Sequence, residues 1–435
     1  MKKETVMEDN ELDFTVEQLG ECHIPSPISF GRFVNDSDRI LYHGRVEELR
    51  SLQSRGAEFP SFEAAGPRER IFFDPRHLVC GIVTCGGICP GLNDVIRAIV
   101  LSLFHHYGVR TVFGFRYGFE GITGRHNHFP MVLTPETVEG IHQQGGTILG
   151  SSRGPQDVGE MVDTLASMNV GILFAIGGDG TLRGAHEIAL EIGRRGLRTC
   201  VIGIPKTIDN DILFVEESFG FQTAISEARN VISAAHCEAS GARNGIGLVK
   251  LMGRQSGFIA AYATLANSDV NYCLVPEIPF TCEGFLEILR KRLADRGHAV
   301  IVAGEGAGQD LMEKVCTRDA SGNVRLGDIG AFLRDRICEF FSRAGIPVNL
   351  KYIDPSYTIR STPANARDSA FCLLLGHNAV HAGMAGRTDM VVGTWKNEFT
   401  HLPIRYVISG RKRLDPAGRL WSSVLGSTGQ AGEMA

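Results

Sequence analysis

The chain has 435 residues, 43% of them hydrophobic and 21% charged, the balance of a globular protein with room for two cores. Its 44 basic and 49 acidic residues leave a net charge of −5, so there is no general basic footprint for nucleic acid, and an anion site must be built from selected Arg and Lys side chains. No run of about 18 apolar residues occurs, and the stretch Met1–Asp9 lacks the apolar core of a secretory leader, so neither a membrane span nor secretion is expected.

Residues 1–76 are mixed in character, with prolines at Pro25, Pro27, Pro60 and Pro67 and a charged stretch from Arg45 to Arg50. They read as an extension that wraps a neighbouring lobe or subunit. From Leu78 the texture becomes strand, glycine-rich turn and helix in repetition, the signature of a doubly wound parallel sheet. Val79–Val83 is the first strand. It runs into Thr84-Cys85-Gly86-Gly87-Ile88-Cys89-Pro90-Gly91 ahead of a helix over Val95–Phe104, a turn suited to holding a phosphate at a helix amino end. A strand over Thr111–Phe115 follows, and later Leu149-Gly150-Ser151-Ser152-Arg153 sets a guanidinium close to glycine.

Gly171–Ile176 and Val201–Ile204 are apolar throughout and read as buried parallel strands, so the motifs behind them lie at strand carboxyl ends, where open α/β sheets bind ligands. Behind the first comes Gly177-Gly178-Asp179-Gly180-Thr181 and a helix over Leu182–Ile192. The glycines let backbone N–H groups approach phosphate oxygens, and an acid such as Asp179 beside a polyphosphate makes physical sense with a cation between them. Behind the second comes Pro205-Lys206-Thr207-Ile208-Asp209-Asn210-Asp211. Phosphoryl transfer to an alcohol needs a carboxylate to accept the hydroxyl proton, and Asp209 suits that task; otherwise the two acids cap a turn. Lys206 either neutralises phosphate charge or solvates the turn.

Helices over Thr223–Glu238 and Phe285–Asp295 alternate with strands at Gly247–Leu251, Tyr272–Val275 and Ala299–Ala303. Met252-Gly253-Arg254 sets a second guanidinium beside glycine, placed to stabilise a transferring phosphoryl group. The run Lys351–Arg360 offers Lys351, Tyr357 and Arg360 as donors to a sugar phosphate, or forms ordinary surface. The last 20 or so residues, with Gly418, Gly426, Gly429 and Gly432, read as a frayed tail. Eleven scattered cysteines read as reduced, mostly buried thiols of a cytosolic protein, and the tight pair Cys85/Cys89 lacks companions to complete a metal set.

With these motifs in one order, residues 78–405 resemble the 6-phosphofructokinase family. The resemblance implies an α/β fold of two Rossmann-like lobes with mainly parallel sheets, ATP and Mg2+ as phosphoryl donor and cation, and transfer to the 1-hydroxyl of fructose 6-phosphate. It also implies a cytoplasmic homotetramer with effector sites at subunit interfaces. On that basis residues 77–220 and 361–412 form a nucleotide-binding lobe and residues 221–360 a sugar-phosphate-binding lobe, with 1–76 an extension and 413–435 a tail. Carried over by position, Asp209 is the proton acceptor, Asp179 the magnesium-associated acid, and Gly86, Arg153 and the turn Gly178, Asp179, Gly180 and Thr181 hold the nucleotide phosphates. Thr207, Asp209, Met252, Gly253, Arg254, Glu305, Lys351, Tyr357 and Arg360 hold the sugar phosphate, and Arg254 steadies the transition state.

Two departures from the family's pattern matter. Pyrophosphate users tend to carry a second Asp after Gly-Gly-Asp together with a Lys before Thr-Ile-Asp; here Gly180 stands in the first place and Lys206 in the second. Glycine keeps room for the α-phosphate of ATP, and the Gly/Lys combination is similar to the ATP-dependent branch of plants and trypanosomatids, with pyrophosphate the alternative donor. The extension, including Glu11 to Val16, is similar to that branch as well. Gly245 replaces an arginine that in bacterial members reaches a neighbour's sugar-phosphate site, and Arg243 is close but not matching. NAD kinases and lipid kinases share Gly-Gly-Asp-Gly-Thr but lack the Thr-Ile-Asp-Asn-Asp and Met-Gly-Arg partners. A non-catalytic sugar-phosphate-binding subunit has no need of Asp179, Asp209 and Arg254 together.

Overall fold

Apolar runs without alternation form the central strands, as strands covered on both faces require. In the computed structural model, which describes residues 12–29, 31–313, 317 and 324–432, every residue of the strands Val170–Gly177 and Cys200–Pro205 is buried. The stretch Met1–Asp9, Glu11, Cys316 and the final Glu433–Ala435 lie outside the described residues. The chain divides into two compact units: the first runs through Thr207 and adds Ile212–Phe219 and Pro363–Arg411, while the second takes Ile208–Asp211, Gly220–Thr362 and the chain from Lys412 onward.

A nine-stranded sheet forms the first unit. Five parallel strands make its centre, in the spatial order Thr111–Phe115, Val79–Thr84, Val170–Gly177, Cys200–Pro205 and Met390–Trp395. Antiparallel strands complete both edges, Met131–Val132 on one side and Glu398–Pro403, Ser61–Ala64 and Arg39–Leu41 on the other. From Val79–Thr84 the chain next adds a strand on one side and then crosses to the other, so the strand order reverses between Val79–Thr84 and Val170–Gly177. That is the crevice in which such sheets bind ligands. The helix Asp179–Arg194 turns Thr181, Leu182, Ala185, Ile188 and Ile192 inward, a helical spacing that packs its apolar stripe on the sheet.

The amino-terminal extension is stitched into this unit. Its strands Arg39–Leu41 and Ser61–Ala64 continue the large sheet, and Glu17–Gln18 pairs with Arg387–Thr388. Phe14 packs among Phe62, Tyr42, Phe214 and Tyr406. Buried Glu63 accepts hydrogen bonds from Arg68 at 2.8 Å and Arg387 at 2.9 Å, and lies 3.1 Å from His401 Nδ1. Burial raises the Glu63 carboxyl, but those neighbours outweigh it and hold it down to about 2.

Four parallel strands form the sheet of the second unit, in the order Tyr272–Leu274, His298–Gly304, Gly245–Leu251 and Asn349–Ile353. Phe285, Leu289, Leu333, Ile337 and Phe341 fill the core beside it. Gly245 has a steric reason: a Cβ there would stand 2.0 Å from the Ala239 carbonyl oxygen, so with this backbone the position admits no larger residue. The carboxyl end is not a frayed tail. Arg419–Thr428 is a helix that buries Trp421 and Val424, Gly418 and Gly429 flank it as caps, and the Gln430 amide hydrogen-bonds both the N–H (2.7 Å) and the carbonyl (3.2 Å) of Cys273. Its few apolar residues suffice because Trp421 and Val424 are three apart and share one helix face.

Candidate active site

In the first unit three loops meet at the carboxyl ends of the strands flanking the reversal. Gly86, with φ of +86° in the left-handed region, donates its N–H to Ser152 O at 3.1 Å and accepts the Ser151 hydroxyl at 2.6 Å. Cys85 N donates to Ile176 O at 3.0 Å, and Lys206 N to Gly177 O at 3.0 Å. Lys206 is buried, and its ammonium donates to Gly87 O at 2.7 Å. Gly86, the Ser151–Arg153 turn, Gly177–Thr181 and Lys206, far apart in sequence, are therefore one hydrogen-bonded rim. Arg153 is exposed on it.

Gly177 ends its strand where a Cβ would lie 2.1 Å from the Thr181 hydroxyl, so the turn closes only on glycine. Gly178 caps the helix, Asp179 is its first residue, and Thr181 is buried. The amino end of that helix presents backbone N–H groups and a partial positive charge. Gly180 is exposed and points to open space, with no atom within 4 Å of where its Cβ would be. Asp179 faces Arg183 at 3.2 Å and Arg411 at 3.6 Å. Burial pushes the neighbouring Cys85 thiol up to about 12, which leaves it protonated and inert. All ten described cysteines are free, and seven are buried.

The second unit carries the carboxylate turn and the sugar-phosphate candidates except Thr207, which ends the first stretch of the first unit. The unit boundary passes between Thr207 and Ile208. Asp209 and Asp211 flank Asn210, which adopts the left-handed conformation with φ of 52°, a tight reversal suited to Asn. The Asp209 carbonyl accepts the Ser256 hydroxyl at 3.2 Å, tying the turn to the loop that contains Met252, Gly253 and Arg254. Glu305 N donates to Leu251 O at 2.8 Å, and Gly306 N to Gly253 O at 3.3 Å. Burial raises the Glu305 carboxyl, while the positive charges of Arg254, Lys250 and Arg360 pull the other way, so these side chains share one region. Arg360 lies 5.0 Å over the ring of Tyr357, itself 74% exposed, and its Nε is buried without a hydrogen-bond partner among the described residues.

Lys351 stands exposed in the edge strand Asn349–Ile353, opposite Gly247. Lys250, which sequence reasoning passed over, is the ion-paired lysine: its ammonium is 2.7 Å from Asp354 and 3.4 Å from Asp328, which also accepts the Tyr352 hydroxyl at 3.0 Å. Burial disfavours its charge, but these acids outweigh burial and hold its pKa above the ordinary lysine value. The signal in sequence was a lone lysine inside an otherwise apolar strand. Arg183 and Arg411 were passed over as well; Arg183 carries its signal in its four-residue spacing from Asp179 on one helix, while only the fold brings Arg411 to that acid. Among the described residues no three His, Cys, Asp or Glu side chains cluster to hold a metal. No helix of the described residues is long and apolar enough to cross a membrane.

The Phosphofructokinase family profile matches residues 79–383. An ATP-dependent 6-phosphofructokinase of Borreliella burgdorferi is 46% identical over 98% of this chain and 98% of its own. One from Trypanosoma brucei brucei is 44% identical over 95% of this chain and 86% of its own. Among solved structures, a pyrophosphate-dependent phosphofructokinase from Marinobacter aquaeolei superposes with a TM-score of 0.66 at 21% identity, covering 78% of this chain and 86% of that one, a likeness of fold. The chain belongs to the phosphofructokinase family.

Proposed function

We propose that the chain is an ATP-dependent 6-phosphofructokinase, which transfers the terminal phosphoryl group of ATP to the 1-hydroxyl of fructose 6-phosphate. The observation that carries this reading is the first unit's rim, where the Gly86 loop, the Ser151 turn and the capped helix beginning at Asp179 are joined by hydrogen bonds at the sheet reversal. Relatives named for ATP, at 46% and 44% identity, support the donor. So does the open space at Gly180.

In this reading Gly86, Gly178, Gly180 and Thr181 line the donor-phosphate site by close backbone approach at the amino end of the helix Asp179–Arg194, and Arg153 adds a guanidinium. Asp179 belongs to no cluster of three His, Cys, Asp or Glu side chains among the described residues, which fits magnesium, since that ion binds through one or two carboxylates plus substrate phosphates and would neutralise phosphate charge there. Asp209 accepts the proton of the sugar's 1-hydroxyl, and Thr207 positions that end of the sugar. Arg254 stabilises charge on the transferring group. Met252, Gly253, Glu305, Lys351, Tyr357 and Arg360 hold the sugar phosphate. The enzyme acts as a cytoplasmic homotetramer.

One observation favours pyrophosphate as a second donor: the buried Lys206 ammonium is anchored at Gly87 O, beside the phosphate loop. Purified chain, ATP and magnesium are to be tested against fructose 6-phosphate, NAD and diacylglycerol, with the product identified by mass. Fructose 1,6-bisphosphate is expected. Turnover of NAD or diacylglycerol with none of fructose 6-phosphate would overturn the reading.

A further inference from the structure

The acid on the phosphate-binding turn is already engaged. Arg183 Nε lies 3.2 Å from Asp179 Oδ2 and its Nη2 3.3 Å from Oδ1, while Arg411 Nη2 approaches Oδ2 at 3.6 Å. Arg183 Nη2 also donates to Ile408 O at 2.6 Å, so its guanidinium is held from both ends. One turn of helix separates Asp179 from Arg183, the spacing at which side chains meet. Arg411 reaches the same carboxylate from a segment whose backbone bridges to Ile212, a few residues past the Asp209 turn. Two positive groups therefore neutralise Asp179 in the protein alone.

That arrangement conflicts with a carboxylate that also serves a divalent cation. A cation on Asp179 with both guanidinium groups still in place would set like charges side by side in a partly buried site. The conflict is resolved if the guanidinium groups find other anions at that moment, and the triphosphate brought with the cation supplies them. Arginine's planar fork is suited to phosphate oxygens, and the same helix turn is open at Gly180, where no atom lies within 4 Å of the would-be Cβ.

We propose that Arg183 and Arg411 are exchange partners, which hold Asp179 in the empty protein and turn to the phosphate oxygens of the nucleoside triphosphate once Asp179 is engaged by the cation. The inference rests on reading Asp179 as the donor-site acid. It makes these two arginines further determinants of donor binding, beyond Arg153 and the glycine turn.

The test is equilibrium binding of ATP to the full-length chain, with and without magnesium, by calorimetry. Arg183→Met and Arg411→Met are each expected to weaken magnesium-dependent ATP binding by about tenfold, leaving fructose 6-phosphate binding unchanged. Arg183→Lys, which keeps the charge but loses the fork, is expected to fall in between and guards against a misfolded Met variant. Unchanged ATP binding in both Met variants would overturn the exchange. Tighter binding would overturn it too, because the arginines would then only compete with the cation. Asp179→Asn, run in parallel, separates the two levels of the reading. If it also binds ATP as the wild type does, the donor-site reading fails; if it alone loses the magnesium dependence, only the exchange fails.

Discussion

Gly180→Asp tests the residue that we propose sets donor choice. Gly180 is the second residue of the helix Asp179–Arg194, exposed, with nothing within 4 Å of the position a Cβ would take. The folded state thus accepts the new side chain, and replacing glycine with an acid in a first helical turn is worth about 0.5 kcal/mol of stability through propensity and the helix dipole. The cost falls on the ligand. A carboxylate roughly 5 Å from a phosphate charge, at an effective dielectric constant of about 20, is repelled by about 3 kcal/mol, equivalent to about a hundredfold. The assay is kcat/KM for magnesium ATP and for pyrophosphate, with a thermal melt on the same sample. We expect ATP efficiency to fall about a hundredfold with no loss of melting temperature, and Gly180→Ala to stay within severalfold of the wild type because it adds volume without charge. Unchanged ATP kinetics in an intact Gly180→Asp protein would refute the electrostatic reasoning.

Asp209→Ser is expected to lower kcat by at least about a hundredfold with little change in KM for fructose 6-phosphate, because it removes proton acceptance and little else; a near-normal kcat would remove Asp209 from that role. Gly177→Ala should cost about 1–3 kcal/mol by forcing a methyl against the Thr181 side chain, where the gap is 2.1 Å, and chemical denaturation would read it; wild-type stability would show that the turn can relax. Acid should destabilise the first unit through His377, whose pKa burial and then the nearby His106 lower to about 4. The unfolded chain takes up that proton near pH 6.5 and the folded chain does not, so stability present above pH 6.5 is lost as pH falls toward 4, by on the order of 2 kcal/mol after discounting for partial exposure. Melts at pH 7 and pH 5 on wild type and His377→Asn check this, and an identical pH dependence in both would contradict it.

Strands buried on both faces announce themselves, because nothing but continuous apolar sequence can occupy them: Gly171–Ile176 and Val201–Ile204 fall inside the observed strands Val170–Gly177 and Cys200–Pro205. The half-exposed edge strand Asn349–Ile353 has no such run and was legible only as a cluster of donors. The carboxyl-terminal helix was hidden by its glycines, since Trp421 and Val424 bury one short face that composition dilutes. Motif residues on glycine turns were legible because backbone approach leaves a sequence mark. Lys250 and Arg411 were not, since their pairing with Asp354, Asp328 and Asp179 comes from tertiary placement that no local pattern encodes, whereas Arg183 stands four residues past Asp179 on one helix, a local spacing that the sequence does carry.

The most direct measurement is fructose 1,6-bisphosphate formation by the purified protein with magnesium, comparing ATP and pyrophosphate at matched concentrations. Turnover with ATP and little or none with pyrophosphate is the predicted result, with Gly180 outweighing Lys206 in choosing the donor. Turnover with pyrophosphate in preference to ATP would contradict the account.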